Sequence, residues 1–197
     1  MVDDIPDEYQ WHQLVFNEEA SYRFPPKWED DHAIRLKEGA PDIMDCKVYP
    51  LTPQELEATT KWIKENLERK YIWLSKSAYT APFFFIKKKD GTLRPIQDYC
   101  KLNEWTIRDV YPLLDIHTLT RNLEGRVLFT KFDVHWGYHN VQIQEGDQWK
   151  ATFKMPLGLF EPLLMLFGQC NMPSTFQWVL QFWTMCLPSP SFISPIR

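Results

Sequence analysis

The feature that most restricts the fold of this chain is a short apolar run ending in a cluster of lysines and a turn signal. Residues 83–86 read FFFI, residues 87–89 are three lysines, and Asp90-Gly91 precedes the segment 92–94, TLR. Asp-Gly between two strand-like segments is a strong hairpin signal, because both residues tolerate the positive φ of a tight turn. The sequence therefore predicts a two-stranded finger with a basic tip.

Two other segments carry helix signals. The segment 52–55, TPQE, combines a threonine N-cap, a proline at the first helical position and a glutamate that can close a capping box. Leu56 and Leu67 belong to an apolar stripe at helical spacing, so a helix is predicted over 53–69. The segment 171–173, NMP, opens a second predicted helix.

Further segments have the composition of strands. Residues 126–134, RVLFTKFDV, are rich in β-branched and aromatic side chains, and residues 159–165 form another apolar run. The segment 145–147, EGD, separates 141–144 from 149–153, which predicts a second hairpin. Helices and hairpins mixed in this way favour an α+β fold over a doubly wound parallel sheet.

Charge is distributed unevenly along the chain. Residues 1–45 contain 12 acidic and 4 basic side chains and are interrupted by prolines, which predicts an extended acidic leader that lies over or precedes the folded part. Residues 46–103 contain 11 basic and 6 acidic side chains, although the net charge of the whole chain is -4. A basic middle segment is compatible with an anionic partner and equally with an ordinary solvated surface.

Several classes of protein are disfavoured by cysteine spacing and hydropathy. The four cysteines are far apart and have no zinc-ligand spacing, which fits free thiols in a reducing compartment. The N-terminal MVDDIPDEYQ has no signal-peptide character. The apolar stretch 178–187 is roughly half the length of a membrane span. The expectation is an intracellular protein without a membrane segment, its compartment left open.

Asp133 is the candidate for chemistry. It ends the apolar segment that precedes Gly137-Tyr138, where an aromatic ring can lie near its carboxylate. By default, an aspartate in this setting caps a helix or ends a strand. Together with the basic finger, it also provides the carboxylate, aromatic wall and cations that nucleotidyl transfer requires, because that transition state spreads negative charge over phosphate oxygens. The residues alone leave both interpretations open.

Several longer segments, in colinear order, closely resemble the reverse transcriptase of Gypsy-type LTR retrotransposons. The upstream segments 32–41 and 50–58 resemble the connector between protease and polymerase in such polyproteins. The segments that carry the polymerase resemblance are 75–103, 128–143 (LFTKFDVHWGYHNVQI), 150–153 (KATF) and 165–177 (MLFGQCNMPSTFQ).

The resemblance implies the fingers and part of the palm of a right-hand polymerase that adds dNTPs to a primer on an RNA or DNA template. Lys88 or Lys89 with Arg94 would clamp the incoming triphosphate. Asp133 would be the first palm carboxylate and bind Mg²⁺, with the backbone carbonyl of Val134 nearby.

The same resemblance assigns roles to five further positions. Tyr138 matches the aromatic steric gate that excludes a ribose 2′-OH. Phe167, Gly168 and Pro173 match the loop and helix start beneath the nucleotide and template, and Gln177 matches a helix position near the template strand.

Two other residues, Asp98 and Asn103, are expected to be structural and to tie the finger strands together. Departures from the family pattern include Cys100, which stands where arginine is usual, and Leu166 and Gln169 in the segment MLFGQ.

The family's second palm motif, Tyr-x-Asp-Asp, does not occur in the 197 residues. Two-metal catalysis needs several converging carboxylates, so the chain is expected to be a truncated polymerase fragment that is inactive alone. The predicted division is a connector-like leader (1–45), fingers and partial palm (46–182), and an unrelated tail (183–197). The alternative is a domesticated or degenerate nucleic-acid-binding module without catalysis.

Overall fold

The computed structural model describes residues 17–89, 91–111, 117, 121, 124–125, 127 and 136–186. The elements within these residues are the helices α1 (Glu18–Ser21), α2 (Pro53–Glu68), α3 (Cys100–Trp105) and α4 (Met172–Cys186), the 3-10 turns Gly137–Asn140 and Gln148–Ala151, and the strands β1 (Ile72–Leu74), β2 (Ala81–Lys87), β3 (Leu93–Gln97), β4 (Phe153–Met155) and β5 (Gly158–Pro162).

The five strands form one sheet in the order β1-β5-β4-β2-β3. Neighbouring strands are antiparallel except for β2 and β4, which run parallel with Ala81 opposite Phe153. Helices combined with a mixed sheet confirm the predicted α+β class. None of the helices in the described part of the chain has the length and apolarity that a membrane span requires.

The predicted finger is confirmed as the hairpin of β2 and β3. Phe85 lies opposite Pro95, and Ile86 lies opposite Arg94. Beyond the strands, the backbone N–H of Lys88 donates to the carbonyl of Thr92 at 2.8 Å, which closes the tip. Gly91 there has φ +82°, a conformation that glycine adopts without steric cost.

The first predicted helix is confirmed as α2, and its capping box is present. The backbone N–H of Glu55 donates to Thr52 Oγ1 at 3.3 Å, and the N–H of Thr52 donates to Glu55 Oε2 at 2.8 Å. The buried face is centred on Thr59 and Ile63, whereas Leu56 remains 39% exposed. Leu67, at the other end of the predicted stripe, is also 39% exposed, so the stripe was misplaced at both ends, because the sheet contacts a neighbouring face of the helix.

The predicted second hairpin is wrong. Residues 148–151 form a 3-10 turn, and β4 pairs with β5 instead of with 141–144. The leader occupies the edge that a hairpin partner would need: the N–H of His32 donates to Gln142 O, and the N–H of Gln144 donates to His32 O, both at 2.9 Å. A tertiary pairing thus replaced the local one that the turn signal suggested.

Two apolar clusters lie beneath these elements. The larger one packs the sheet against α2 and includes Phe83, Phe153 and, from the leader, Ile34. The smaller one consists of Val141, Met165, Met172 and Val179, with Tyr138 and Phe176 packed against it. The predicted second helix, α4, supplies part of this smaller cluster, on which the candidate site is built. The predicted strand 126–134 lies outside the described residues apart from Val127.

Candidate functional site

The basic tip of the β2–β3 finger is exposed. Lys88, Lys89 and Arg94 all reach solvent. Lys87 has a different setting, because it lies near Glu55 of α2. Hydrogen bonds from Thr52 are the main reason that the pKa of Glu55 is below its usual value, and the charge of Lys87 lowers it slightly further. The finger therefore presents several cations on a short, two-stranded support.

Arg94 contacts the loop that precedes α4. Its guanidinium carbon Cζ lies 5.2 Å from the centre of the Phe167 ring. A guanidinium within about 6 Å of an aromatic face is attracted by the ring quadrupole. Phe167 is 44% exposed, so this pair lies at the surface and part of the ring is accessible to a ligand.

Tyr138 also contacts Phe167. The two rings meet edge to face with centroids 5.1 Å apart, and the Phe176 ring of α4 lies 5.0 Å from Tyr138. The 3-10 turn that carries Tyr138 begins at Gly137, where an added Cβ would lie 2.9 Å from Phe176 Cζ. The absence of a side chain at this glycine lets the turn approach α4 closely enough for the three rings to meet.

Gly168 places the loop backbone against the base of the finger. Its φ is +105°, and an added Cβ would lie 3.2 Å from the carbonyl oxygen of Gln97 in β3. Both the backbone angle and the limited space favour glycine. The contact places the loop beside the finger strand that carries Arg94.

Asp98 ties the finger strands together through its backbone, whose N–H donates to Pro82 O in β2 at 3.0 Å, whereas Asn103 differs from that expected role. Asn103, on α3, donates from Nδ2 to Gly168 O at 2.8 Å and accepts from the backbone N–H of Cys170 at 3.0 Å. Asp98 accepts a local hydrogen bond from the N–H of Cys100 at 2.9 Å. Asn103 therefore joins α3 to the loop before α4, and Asp98 orders the start of α3.

Asn171 is a residue of this site whose role the sequence did not reveal. Its Nδ2 donates to Ile107 O at 2.8 Å, and its Oδ1 accepts from the N–H of Asp109 at 3.1 Å. The position of Asn171 before Met172-Pro173 is a helix-start signal. That signal explains an asparagine at the start of α4 but not its hydrogen bonds to the backbone of residues 107 and 109, which follow α3. Downstream, Pro173 is exposed and Gln177 is half-buried on α4.

Asp133 and Val134 lie outside the described residues. Among the residues that are described, no three His, Cys, Asp or Glu side chains converge in a way that could hold a metal ion. Magnesium requires near-octahedral oxygen ligation. The described part of the site therefore does not fit Mg²⁺ by itself. It brings together Arg94, Phe167, Gly168 and Tyr138, a cationic and aromatic surface suited to binding anions and flat rings.

The model of one protein family matches residues 86–184, which is 99 of the 197 residues, and that family is described as reverse transcriptase (RNA-dependent DNA polymerase). The Tf2-3 and Tf2-7 transposon polyproteins of Schizosaccharomyces pombe are each 36% identical to the chain over 132 residues, which is 67% of it. The chain spans only about a tenth of the length of these relatives, 10% in each case.

Solved structures show the same fold. The foamy viral protease–reverse transcriptase in complex with an RNA/DNA hybrid matches with a TM-score of 0.66 and 15% identity, covering 95% of this chain and 26% of the other. The native prototype foamy virus protease–reverse transcriptase matches with a TM-score of 0.64 and 16% identity, covering 94% of this chain and 26% of the other.

Proposed function

The chain belongs to the reverse transcriptase (RNA-dependent DNA polymerase) family, and from that premise we propose that it forms the fingers and part of the palm of an RNA-directed DNA polymerase within a Gypsy-type retrotransposon polyprotein. The 36% identity to the Tf2 polyproteins supports the retrotransposon origin. The free thiols of Cys46, Cys100 and Cys170 support an intracellular, reducing setting.

The observation that carries the proposal is the continuous contact from Arg94 through Phe167 to Tyr138. The cation lies 5.2 Å from the middle ring, and the two rings are 5.1 Å apart. These residues are far apart in the sequence and come from the finger, the loop before α4 and the 3-10 turn. A triphosphate needs the cation of Arg94, and a sugar and base need the aromatic rings of Phe167 and Tyr138.

Each residue then has a distinct role. Lys88 or Lys89 with Arg94 binds the triphosphate of the incoming dNTP, because cations compensate the charge of the phosphate oxygens. Tyr138 blocks the position of a ribose 2′-OH. Phe167 and Gly168 lie beneath the nucleotide.

The template and metal assignments follow from the family resemblance. Pro173 and Gln177 lie toward the template strand of the RNA or DNA template-primer. By that resemblance, Asp133 would supply one carboxylate ligand for Mg²⁺, and the Val134 carbonyl would lie nearby. A bound divalent ion would neutralise charge on the reacting phosphate oxygens, but one carboxylate cannot complete its coordination. We therefore expect the 197-residue polypeptide to bind nucleic acid without extending a primer.

Binding can be tested with a labelled RNA–DNA hybrid at several salt concentrations. Replacing Lys88, Lys89 and Arg94 together by alanine is expected to weaken binding about tenfold or more and to flatten the salt dependence, because fewer phosphate counterions are released. The matched control replaces the exposed residues Lys61, Lys64 and Lys76, which removes the same charge away from the finger. Equal losses in the two triple variants would contradict a specific role of the finger.

Primer extension tests the expected inactivity. The purified chain with Mg²⁺, dNTPs and a primed template is expected to give no extended product, and measurable extension would overturn this part of the proposal.

The second candidate, a nucleic-acid-binding module that does not recognise nucleotides, is favoured by the exposed cations of the finger. One binding measurement distinguishes the two candidates. If the chain is a polymerase fragment, a complementary dNTP increases its affinity for the hybrid more than the matching rNTP does, and Tyr138→Ala removes that difference. A module that does not recognise nucleotides shows no such difference.

A further inference from the structure

In the loop between β5 and α4, the segment 168–170 is held by one side chain through two backbone groups. Asn103 Nδ2 donates to Gly168 O at 2.8 Å, and Asn103 Oδ1 accepts from Cys170 N at 3.0 Å. The amide group thus spans the loop on both sides of Gln169. Because one end is a donor and the other an acceptor, only a carboxamide of this length satisfies both backbone groups at once.

The support of Asn103 is rigid. Its helix, α3, is anchored by the buried side chains of Tyr99 and Leu102. The Tyr99 hydroxyl donates to Ala151 O at 2.9 Å, which attaches α3 to the sheet side of the molecule. The loop itself has no side chain at Gly168, where it approaches Gln97 O. Gly168 therefore contributes no side-chain packing of its own, and the hydrogen bonds from Asn103 hold its backbone in addition to the packing of the buried neighbours Leu166 and Gln169.

The residue that this constraint affects is Phe167, which directly precedes Gly168. Its ring lies between the Arg94 guanidinium and the Tyr138 ring, at 5.2 Å and 5.1 Å. The Gly168 carbonyl that Asn103 holds belongs to the residue directly after Phe167, so this hydrogen bond restricts the backbone next to the one that carries the ring.

We propose that Asn103 is a positioning residue that sets the place of Phe167 between the finger cation and Tyr138. This inference rests on the proposed function only for its consequence, namely that a correctly placed Phe167 ring contributes to the binding of nucleic acid. The geometric part, that Asn103 controls the Arg94–Phe167 contact, stands without any ligand.

The decisive substitution is Asn103→Asp. It preserves shape and can still accept from Cys170 N–H, but it has no donor for Gly168 O and adds a charge beside that carbonyl. The matched control is Asn66→Asp in α2. Asn66 is also half-buried, and its Nδ2 also donates to a backbone carbonyl, that of Trp62 at 2.7 Å, away from the site.

The first measurement uses the ligand-free chain and tests the geometry. NMR of the Arg94 side chain reports the ring-current shift of its Nε–H, and Phe167→Ala defines the value without the ring. In Asn103→Asp the shift is expected to move toward the Phe167→Ala value, while Asn66→Asp leaves it unchanged. An unaltered shift in folded Asn103→Asp, with the melting curve showing that it is folded, would overturn the proposal whatever the chain binds.

The second measurement tests the consequence with an RNA–DNA hybrid. Phe167→Ala and Asn103→Asp are each expected to weaken binding about tenfold, the size of one lost base–aromatic contact. The double variant is expected to be no weaker than Phe167→Ala, because Asn103 acts through that ring. Additive losses would overturn positioning through Phe167. A wild-type chain that does not bind the hybrid would refute the proposed function, and the NMR result would still decide the geometry.

Discussion

The carboxylate of Asp147 accepts a hydrogen bond from the backbone N–H of Ile34 at 2.7 Å, across 113 residues of sequence. Lys150 completes the arrangement, since its Nζ donates to Ile34 O at 2.7 Å and pairs with Asp147 at 2.5 Å. Both backbone groups of one leader residue are thus held by a single, largely buried ion pair. The acidic leader is fastened to the polymerase fold at this point.

Removing the Asp147 carboxylate should destabilise the fold. Asp147→Ala leaves the Ile34 N–H and the Lys150 ammonium without their partner, and the expected loss is about 2–3 kcal/mol in the free energy of unfolding, measured by urea denaturation. The control is Lys27→Ala, which breaks the exposed Lys27–Glu145 pair and should cost less than about 1 kcal/mol. Losses of similar size in the two variants would contradict the role of burial.

Replacing Gln169 by leucine should stabilise the protein. Gln169 is 5% exposed, and its amide group lies near the Tyr99 hydroxyl but makes no hydrogen bond of good geometry among the described residues. Because a buried unpaired amide costs free energy, Gln169→Leu is expected to raise the free energy of unfolding by about 1–2 kcal/mol. Gln148→Leu, which removes hydrogen bonds to Gly146 N and Ile143 O, should lower it. A lower melting temperature for Gln169→Leu would show that the amide is satisfied.

The two glycines Gly39 and Gly168 should differ in their tolerance of alanine. Both have positive φ, +80° and +105°, but only Gly168 meets backbone when a Cβ is added. Gly39→Ala is expected to cost about 1 kcal/mol for the left-handed conformation alone. Gly168→Ala should cost about 3 kcal/mol, because the loop must also move away from Gln97 O. Thermal unfolding of the two variants checks the difference, and equal costs would refute the close approach.

Stability should fall in acid because of His32. Burial lowers the pKa of this side chain from 6.5 to about 4, and its Nδ1 lies 3.0 Å from Thr175 Oγ1. Between these two pH values the unfolded chain binds more protons than the folded one, so stability is lost as the pH falls from 6.5 toward 4. At pH 4.5 the contribution of His32 is a loss of about 2–3 kcal/mol.

His32→Gln tests this prediction, because glutamine does not titrate and can still bond to Thr175. Urea denaturation at pH 7 and pH 4.5 is expected to show a smaller acid loss in the variant than in the wild type. Other groups affect the same curve: His139, whose pKa burial also lowers to about 4, Asp31, whose pKa burial raises, and four carboxyl groups whose pKa values hydrogen bonds lower, namely Asp45, Glu55, Asp98 and Glu145. All of them are unchanged in the variant, so they cancel in the comparison. An unchanged acid loss would rule out His32 as a source.

Local sequence signals were sufficient where a structure depends on neighbouring residues. The β2–β3 finger and the capping box of α2 need only turn chemistry and a side chain three residues away, and both were predicted. The contact between Arg94 and Phe167 was not predictable from spacing, although the family resemblance placed both residues near a nucleotide. The placement of Asp133 stays a prediction, since that residue lies outside the described part of the chain.

The sequence by itself determined the α+β class, the basic finger, the start of α4 and, through colinear motifs, the family. Only the tertiary structure decided that the leader, and not residues 149–153, pairs with the segment 141–144. It also revealed that Asn103 holds the loop before α4. The physical reason is that long-range pairing is selected by burial and by hydrogen bonds between distant segments, and neither leaves a periodic signal in the local sequence.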